Sequence, residues 1–369
     1  MAVTIFLCGD VMTGRGIDQA LPLPSPPRIY EPYVTDAREY VHLAETAFGR
    51  IPKPMTFSAV WGDSLAELDR QAPDLRVINL ETAVTESEDY WQGKGINYRM
   101  NPANAPVLSA AGVDVAVLAN NHVLDWGYAG LAETVTTLTS LNICHAGAGK
   151  NRNEAEAPAI VYVKGKTKVI VFSFAEMTSG VPDIWAATDN CPGVNLIPDL
   201  SIDTMRSIQD RIRRVKKRGD IVIASIHWGS NWGYDISDDE MRFSRGLIDE
   251  AGVDVIHGHS SHHVKAIEVY RGKLVLYGCG DFLNDYEGIG GHESFRGDLG
   301  LMYFVRVDSL TGRLLSLDMT PTQVRHFRVN RASSTDAAWI AAVLNREGKK
   351  HGTAVTVVDE NRLLLTWAK

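Results

Sequence analysis

Along most of the chain, short unbroken apolar runs alternate with longer stretches whose apolar residues recur at helical spacing. The first pattern predicts buried strands and the second predicts amphipathic helices packed over them. Their alternation predicts an α/β fold. The predicted strands are VTIFL, LRVIN, VDVAVLA, VIVFSF, DIVIASI, VDVIH and KLVLYG. The predicted helices are SAVWGDSLAELDRQ, ANAPVLSAAG, LAETVTTLTSL, IDTMRSIQDRIRRVKKR and DDEMRFSRGLIDEAG.

Towards the C-terminus the pattern changes. LMYFVRVDS and GRLLSLDMTPTQVRHFRV read as paired strands, followed by a helix over 336–347 and a last strand pair around TAVTVVDENRLLLTW. A mixed or antiparallel layer is therefore expected to close the fold. The expected organisation is a main domain over residues 1–330, with a helix-and-strand extension over 331–369 packed on it. Within the main domain, residues 19–56 carry LPLPSPPRIYEP and IPKPM, a Pro-rich insertion expected as a long ordered loop or lid over the site, or as a plain surface excursion.

Composition removes several function classes. The 369 residues are 45% hydrophobic and 22% charged, which is ordinary for an enzyme-sized globule. Net charge is −8, and the longest basic run, RRVKKR at 213–218, ends a predicted helix, so no nucleic-acid footprint is expected. The opening MAVTIFLCGD has no basic start and no small-residue cleavage site, and no apolar run approaches the ~20 residues that cross a bilayer. A cytoplasmic location without a membrane partner is expected. The four cysteines, Cys8, Cys144, Cys191 and Cys279, form no CxxC pair and are expected to be reduced.

The apolar runs share an ending. FLCGD closes on Asp10, VINLE on Glu81, VLANNH on Asn121 and His122, ASIHWG on His227, VIHGHSSHH on His257, His259, His262 and His263, and LYGCGD on Asp281. Strand C-termini of an open α/β sheet line one edge, where ligands bind. Each ending alone reads as a turn or a helix cap, but together they point to a metal site. Hard oxygen mixed with imidazole suits Mn²⁺, Fe²⁺, Zn²⁺ or Ca²⁺. In LANNHVLDWG, Asn121 can give an amide oxygen to a metal, and Asp125 can orient the His122 imidazole as an acid/base. Arg15 in TGRG and Arg99 in INYRMNP are candidate anion clamps. Trp126, Trp228 and Trp232 are candidates for an aromatic rim, although core packing is the commoner role for tryptophan. His292, in GIGGHESFRGD, belongs either to a mobile catalytic loop or to a turn.

The order GD, NLE, NNH, HWG and GHxxH, with LANNHVLDWG and YGCGDFLND, resembles the CapA-like, poly-γ-glutamate capsule-synthesis family of the calcineurin-like metallophosphoesterases, over about residues 3–305. The resemblance implies a four-layer α/β/β/α sandwich with a metal centre at one end. It implies Asp10, Glu81, Asn121, His227, His259 and His262 as metal-site residues and His122 as a non-ligand acid/base. The phosphoesterases carry Asp-x-His where this chain has Asp10-Val11-Met12, and Asp where it has Glu81. One tight metal is therefore expected, with a second absent or weakly bound.

The anchorless form looks similar to the soluble peptide epimerases of lasso-peptide pathways. The first expectation is accordingly metal-dependent epimerisation at a peptide Cα, with His122 on one face and His292, Cys8 or Cys279 on the other. For the two cysteines a buried structural role is the favoured reading. The alternative is hydrolysis of a γ-glutamyl or other amide bond. A phosphoesterase, or a peptide-binding protein with a structural metal, ranks lower. In either leading case the partner is a peptide substrate.

Overall fold

The computed structural model describes residues 2–164 and 167–368, so positions 1 and 369, the outer bounds of the two expected segments, lie outside it. Two large sheets dominate the described residues. The first runs Thr353–Val357, Leu363–Trp367, Leu314–Val324, Leu299–Asp308, Ala2–Val11, Leu75–Leu80, Val115–Val117, Cys144–Ala146. In the second, Leu196–Ile197, Thr167–Glu176, Ile221–His227, Val255–His259, Lys273–Leu276 and Ile267–Tyr270 lie in that order.

Period-two alternation sorts the side chains of these strands into separate cores. Val3, Ile5, Leu7, Leu75 and Val77 of the first sheet share one core with Val169, Val171, Ile221, Ile223 and Val255 of the second. The opposite faces pack on helices. Phe6, Ile78 and Ala116 meet Trp61, Leu68, Leu108, Leu131 and Leu138, while Ile170, Val222 and Ala224 meet Ile208, Ile212, Phe243 and Leu247. The strands of the central region are thus apolar on both faces, which is why they read as unbroken runs.

Two predicted helices are shorter than their pattern. SAVWGDSLAELDRQ breaks into Phe57–Trp61 and Ser64–Gln71, because Gly62 between them takes φ +50°. ANAPVLSAAG keeps Pro106–Ala110 after a 3₁₀ turn over Pro102–Asn104. Inside the Pro-rich stretch 19–56 lies a helix, Arg38–Phe48, that the composition had hidden. Towards the C-terminus, Leu299–Asp308 and Leu314–Val324 pair antiparallel, Ser334–Gly348 is helical, and Leu363–Trp367 adds to Leu314–Val324.

The chain changes sheets at one point that matters for the site. After Lys273–Leu276 in the second sheet, the segment YGCG carries it into Asp281–Leu283, which pairs parallel with Ala2–Val11 in the first.

Candidate metal centre and cleft

The two CGD turns lie side by side. Asp10 is in register with Asp281, and the Asp10 N–H donates to the Gly280 carbonyl at 3.0 Å. A Cβ on Gly9 would sit 1.6 Å from that carbonyl oxygen, so only glycine permits the approach. Simple alternation would send Asp10 to the face of Phe6 and Cys8. The register against Leu75–Leu80 shifts between Leu7 and Asp10, and Asp10 meets the second sheet instead. Its Oδ2 accepts from the Ser260 N–H at 3.1 Å, and its Oδ1 lies 3.6 Å from His259 Nδ1.

Two overlapping donor groups result, and Asp10 belongs to both. One is Asp10, His227 and His259, and the other is Asp10, Glu81 and Asp281; within each group the donor atoms lie within 4.8 Å of one another, and all five residues are buried. His227 Nε2 is 3.7 Å from Glu81 Oε1 and 3.2 Å from Asn121 Oδ1. Burial, and then the charge of Asp281, pushes the Asp10 carboxyl up to about 7; burial and then Asp10 and Asp281 push Glu81 well above the carboxylate range. A buried set in which Asp10 and Glu81 are raised in this way is short of positive charge, which a bound divalent cation would supply. The residues therefore fit a divalent metal. Met12 is buried and contributes no hard donor.

His262 joins neither group. Its Nδ1 is 3.0 Å from Asp281 Oδ1; burial opposes its charge, but Asp281 and Asp10 hold its pKa above the usual value.

Beside the carboxylates stands His122. Its Nδ1 is 2.7 Å from Asp125 Oδ2, and its ring stacks on Tyr98 at 3.8 Å between centroids. Asp125 also accepts from Lys94 Nζ at 2.6 Å and from the Tyr98 N–H at 2.6 Å. Burial, and then the charge of Lys94, drives the His122 pKa well below normal, so the ring is neutral. Nδ1 also lies 3.0 Å from Lys94 Nζ; in the tautomer that gives Nδ1–H to Asp125, the closer partner, Nε2 keeps a lone pair. The backbone of His122 is fixed by a ladder of amides, with Asn120 accepting from its N–H, donating to Asn79, and Asn79 in turn donating to Asp10 at 2.7 Å.

A cleft of about 590 Å³ adjoins this point, lined by Tyr40, Tyr98, Tyr286, Trp232, His262 and Asn284, among others; the five donors and His122 stand behind that wall. Its connection to the centre is direct, since Asn284 donates to Asp281 at 2.8 Å. His292 stands exposed on its wall, stacked on Trp232 at 4.1 Å. Tyr33, Tyr40 and Phe48 from the stretch 19–56 form part of the mouth.

Several sequence assignments need correction. Arg15 lines the cleft but is no free clamp, because its guanidinium is buried against Asp285 at 2.5 and 2.9 Å and against Glu31 at 3.0 Å. Arg99 donates to the Ser87 and Pro26 carbonyls and lies over Trp126, bracing two loops. Trp126 and Trp228 are buried core residues, which leaves Trp232 alone on the rim. Cys8 and Cys279 are fully buried, and burial pushes both thiols up, so neither supplies the thiolate a base requires.

The sequence reading left out Lys94, and it named Asp281 as a strand ending without placing it among the ligands. Lys94 gave no signal, since GKGIN is an unpatterned loop. Asp281 had one, because the second CGD repeats the first.

The family model described as bacterial capsule synthesis protein PGA_cap matches residues 4–286, a span that holds every donor just named. The chain belongs to the PGA_cap family. Outside the matched span lie Leu299–Asp308, Leu314–Val324 and the C-terminal helix and strands. One relative, the probable polyglutamine synthesis accessory protein of Mycobacterium tuberculosis (strain ATCC 25618 / H37Rv), is 47% identical over 362 residues, covering 98% of this chain and 95% of that protein. A second is the PGA biosynthesis protein CapA of Bacillus subtilis (strain 168), 30% identical over 217 residues, covering 58% of this chain and 54% of that protein. The capsule biosynthesis protein CapA of Bacillus anthracis is 26% identical over 194 residues, covering 52% and 45%. Among the described residues no helix is long and apolar enough to cross a membrane.

Proposed function

We propose that this chain is a metal-dependent enzyme of poly-glutamate-type polymer synthesis, acting on an amide bond of a glutamyl chain. The observation that carries the reading is the convergence of Asp10, Glu81, Asp281, His227 and His259 on one buried spot beside a neutral His122, behind the wall of a large cleft. The relatives named for polyglutamine and PGA synthesis supply the substrate class. The two sheets and their helices are read as the four-layer α/β/β/α sandwich of the calcineurin-like metallophosphoesterases.

A divalent cation held there, with Mn²⁺, Zn²⁺ or Fe²⁺ best suited to mixed oxygen and imidazole donors, supplies Lewis acidity at an acyl oxygen and lowers the pKa of water. His122 does the proton work. Asp125 holds its Nδ1–H, the Tyr98 ring fixes its plane, and its free Nε2 takes a proton from the attacking group or returns one to the leaving amine. Tyr98, Tyr286 and Trp232 give an extended chain apolar walls, and Arg325, exposed on the rim without an ion-pair partner among the described residues, meets a side-chain carboxylate.

Epimerisation at Cα has no counterpart in the relatives' names and becomes an outcome of the test. Metal-free chain is reloaded with Mn²⁺ or Zn²⁺ and incubated in D₂O with γ-linked and with α-linked polyglutamate. New amino ends and shorter polymers are expected, and His122→Ala should slow their appearance by about 10²–10⁴-fold with bound metal unchanged. Deuterium at Cα without cleavage would restore the epimerase reading. Full metal loading with neither product would overturn the enzymatic one.

A further inference from the structure

The strands Leu314–Val324 and Val329–Arg331 pair antiparallel and are joined by a tight turn with His326 and Phe327 at its centre. The Arg325 N–H donates to the Arg328 carbonyl at 2.9 Å, and the Arg328 N–H donates back to the Arg325 carbonyl at 3.3 Å. Both central residues take a left-handed backbone, with φ +59° and +54°. Such a pair marks a type I′ hairpin turn, which favours Asn and Gly because most side chains strain it. Histidine and phenylalanine fill it here, so the surroundings must hold it in place.

Glu287 does so. The His326 N–H donates to its Oε1 and the Phe327 N–H to its Oε2, each at 2.7 Å, and the residue is buried. Phe327 is fully buried, His326 Nε2 donates to the Phe48 carbonyl at 2.8 Å, and the Asn330 amide donates to the carbonyls of Arg325 and Arg328. Arg325 is thereby given a fixed base on the cleft wall. Its side chain is exposed, with the guanidinium 4.7 Å over the Phe48 ring. Its charge acts on Glu287, but both Glu287 oxygens are already taken by the turn. The other arginines of the cleft are occupied, Arg15 by Asp285 and Glu31 and Arg296 by Asp298 and Asp336. Glu287 and the turn both lie outside the span 4–286 that the family model matches.

We propose that this turn is a built carboxylate subsite at the mouth of the cleft: Arg325 holds a carboxylate of an acidic chain there, and Glu287 is the positioning residue that keeps Arg325 in place. The inference rests on the reading of the cleft as the seat of a glutamyl chain and adds the residues that select its charge. A guanidinium meets a carboxylate through two parallel N–H bonds, and that geometry is lost if its base can swing. Glu287 suits the task because a carboxylate offers an acceptor to each of the two N–H groups. An amide in its place has one acceptor only and turns its NH₂ towards the second N–H.

Binding is measured by calorimetry on the metal-free full-length chain, so that no cleavage is needed, with γ-linked oligoglutamate, α-linked oligoglutamate and oligoglutamine as the uncharged control. Arg325→Ala should weaken binding of at least one oligoglutamate by about tenfold and leave oligoglutamine unchanged. Arg325→Lys, which keeps the charge and loses the fork, should fall between. Glu287→Gln should cost the same factor as Arg325→Ala, and the double variant should lose nothing further, because Glu287 acts through Arg325. Losses that multiply in the double variant overturn the positioning role, and where Glu287→Gln does not fold the same cycle is run with Glu287→Asp, which is too short to meet both N–H groups. Failure of both oligoglutamates to bind the unsubstituted chain, or unchanged affinity in Arg325→Ala, overturns the subsite. Arg325-dependent binding without cleavage by the metal-loaded chain would keep the subsite and remove the enzymatic reading, whereas cleavage with Arg325-independent binding would do the reverse.

Discussion

Two buried ionic clusters border the same cleft, and they are built on opposite principles. Around Arg15 the charges are matched internally: the guanidinium meets Asp285 and Glu31, Gly16 N–H adds a bond to Asp285 at 2.7 Å, and the Tyr40 hydroxyl donates to Glu31. Around Asp10 they are not. Asp10, Glu81 and Asp281 crowd one another, and what positive charge faces them among the described residues is His262 paired with Asp281 and Lys94, already bonded to Asp125, acting on Glu81. A buried charge must be paired or must coordinate an ion. The first cluster therefore reads as architecture, tying the stretch 19–56 to the segment after Asp281, and the second as a site completed from outside.

The largest effect should come from removing the shared donor. Asp10→Asn is expected to abolish tight Mn²⁺ or Zn²⁺ binding and polymer cleavage together, yet to change the stability of the metal-free chain little, because relief of the repulsion among the carboxylates offsets the loss of one of the two hydrogen bonds that Asp10 accepts, from Asn79 and from the Ser260 N–H. Calorimetric metal titration and thermal melts of the same preparation check both halves. A melt lowered by several degrees without metal would contradict the contrast between the clusters.

The opposite pattern is expected at the matched cluster. Arg15→Met leaves Asp285 and Glu31 buried without their cation and should cost about 3–5 kcal/mol of folding stability. Metal affinity measured below the melting temperature should stay within a few-fold of the unsubstituted chain. A selective loss of metal binding at unchanged stability would place Arg15 in the centre after all.

The difference between the clusters also marks what was legible in the sequence. Strand endings were legible because an apolar run that closes on Asp, Glu or His breaks its own pattern, and parallel pairing sets such endings on one edge; Asp10, Glu81, His227 and His259 stand out in this way, and the structure brings them together as candidate donors. Arg15 was misread because its partners lie far off in the chain, Asp285 by 270 positions, and nothing local says that a guanidinium is already occupied. Lys94 was missed for the same reason, since its tie to Asp125 spans 31 residues from a loop without periodicity. Trp126 and Trp228 follow the candidate ligand loops in order but not in exposure, because the residue after a strand end turns back into the core as readily as outwards. In the fold, alternation marked the buried strands, whereas the helix Arg38–Phe48 was masked by the prolines around it.

The smallest effect, and the most specific to the unmatched cluster, is a dependence on pH. Burial and the charge of Asp281 hold the Asp10 carboxyl at about 7 in the metal-free fold, against ~3.9 for an unperturbed aspartate. The sign follows from the raised value. Asp10 favours the metal-free fold fully below the unfolded pKa, and that contribution is lost as pH rises through about 7. A bound cation takes the place of the proton, so apparent metal affinity should fall by about tenfold per pH unit for each proton displaced below pH ~7, and flatten above it. The gap in melting temperature between metal-loaded and metal-free chain should accordingly widen from pH 5 to pH 8. Arg15→Met should keep that widening, since the matched cluster takes no part in it, and Asp10→Asn should remove it. A gap that stayed constant across this range in the unsubstituted chain would mean that the carboxylates are not what a cation is needed to neutralise.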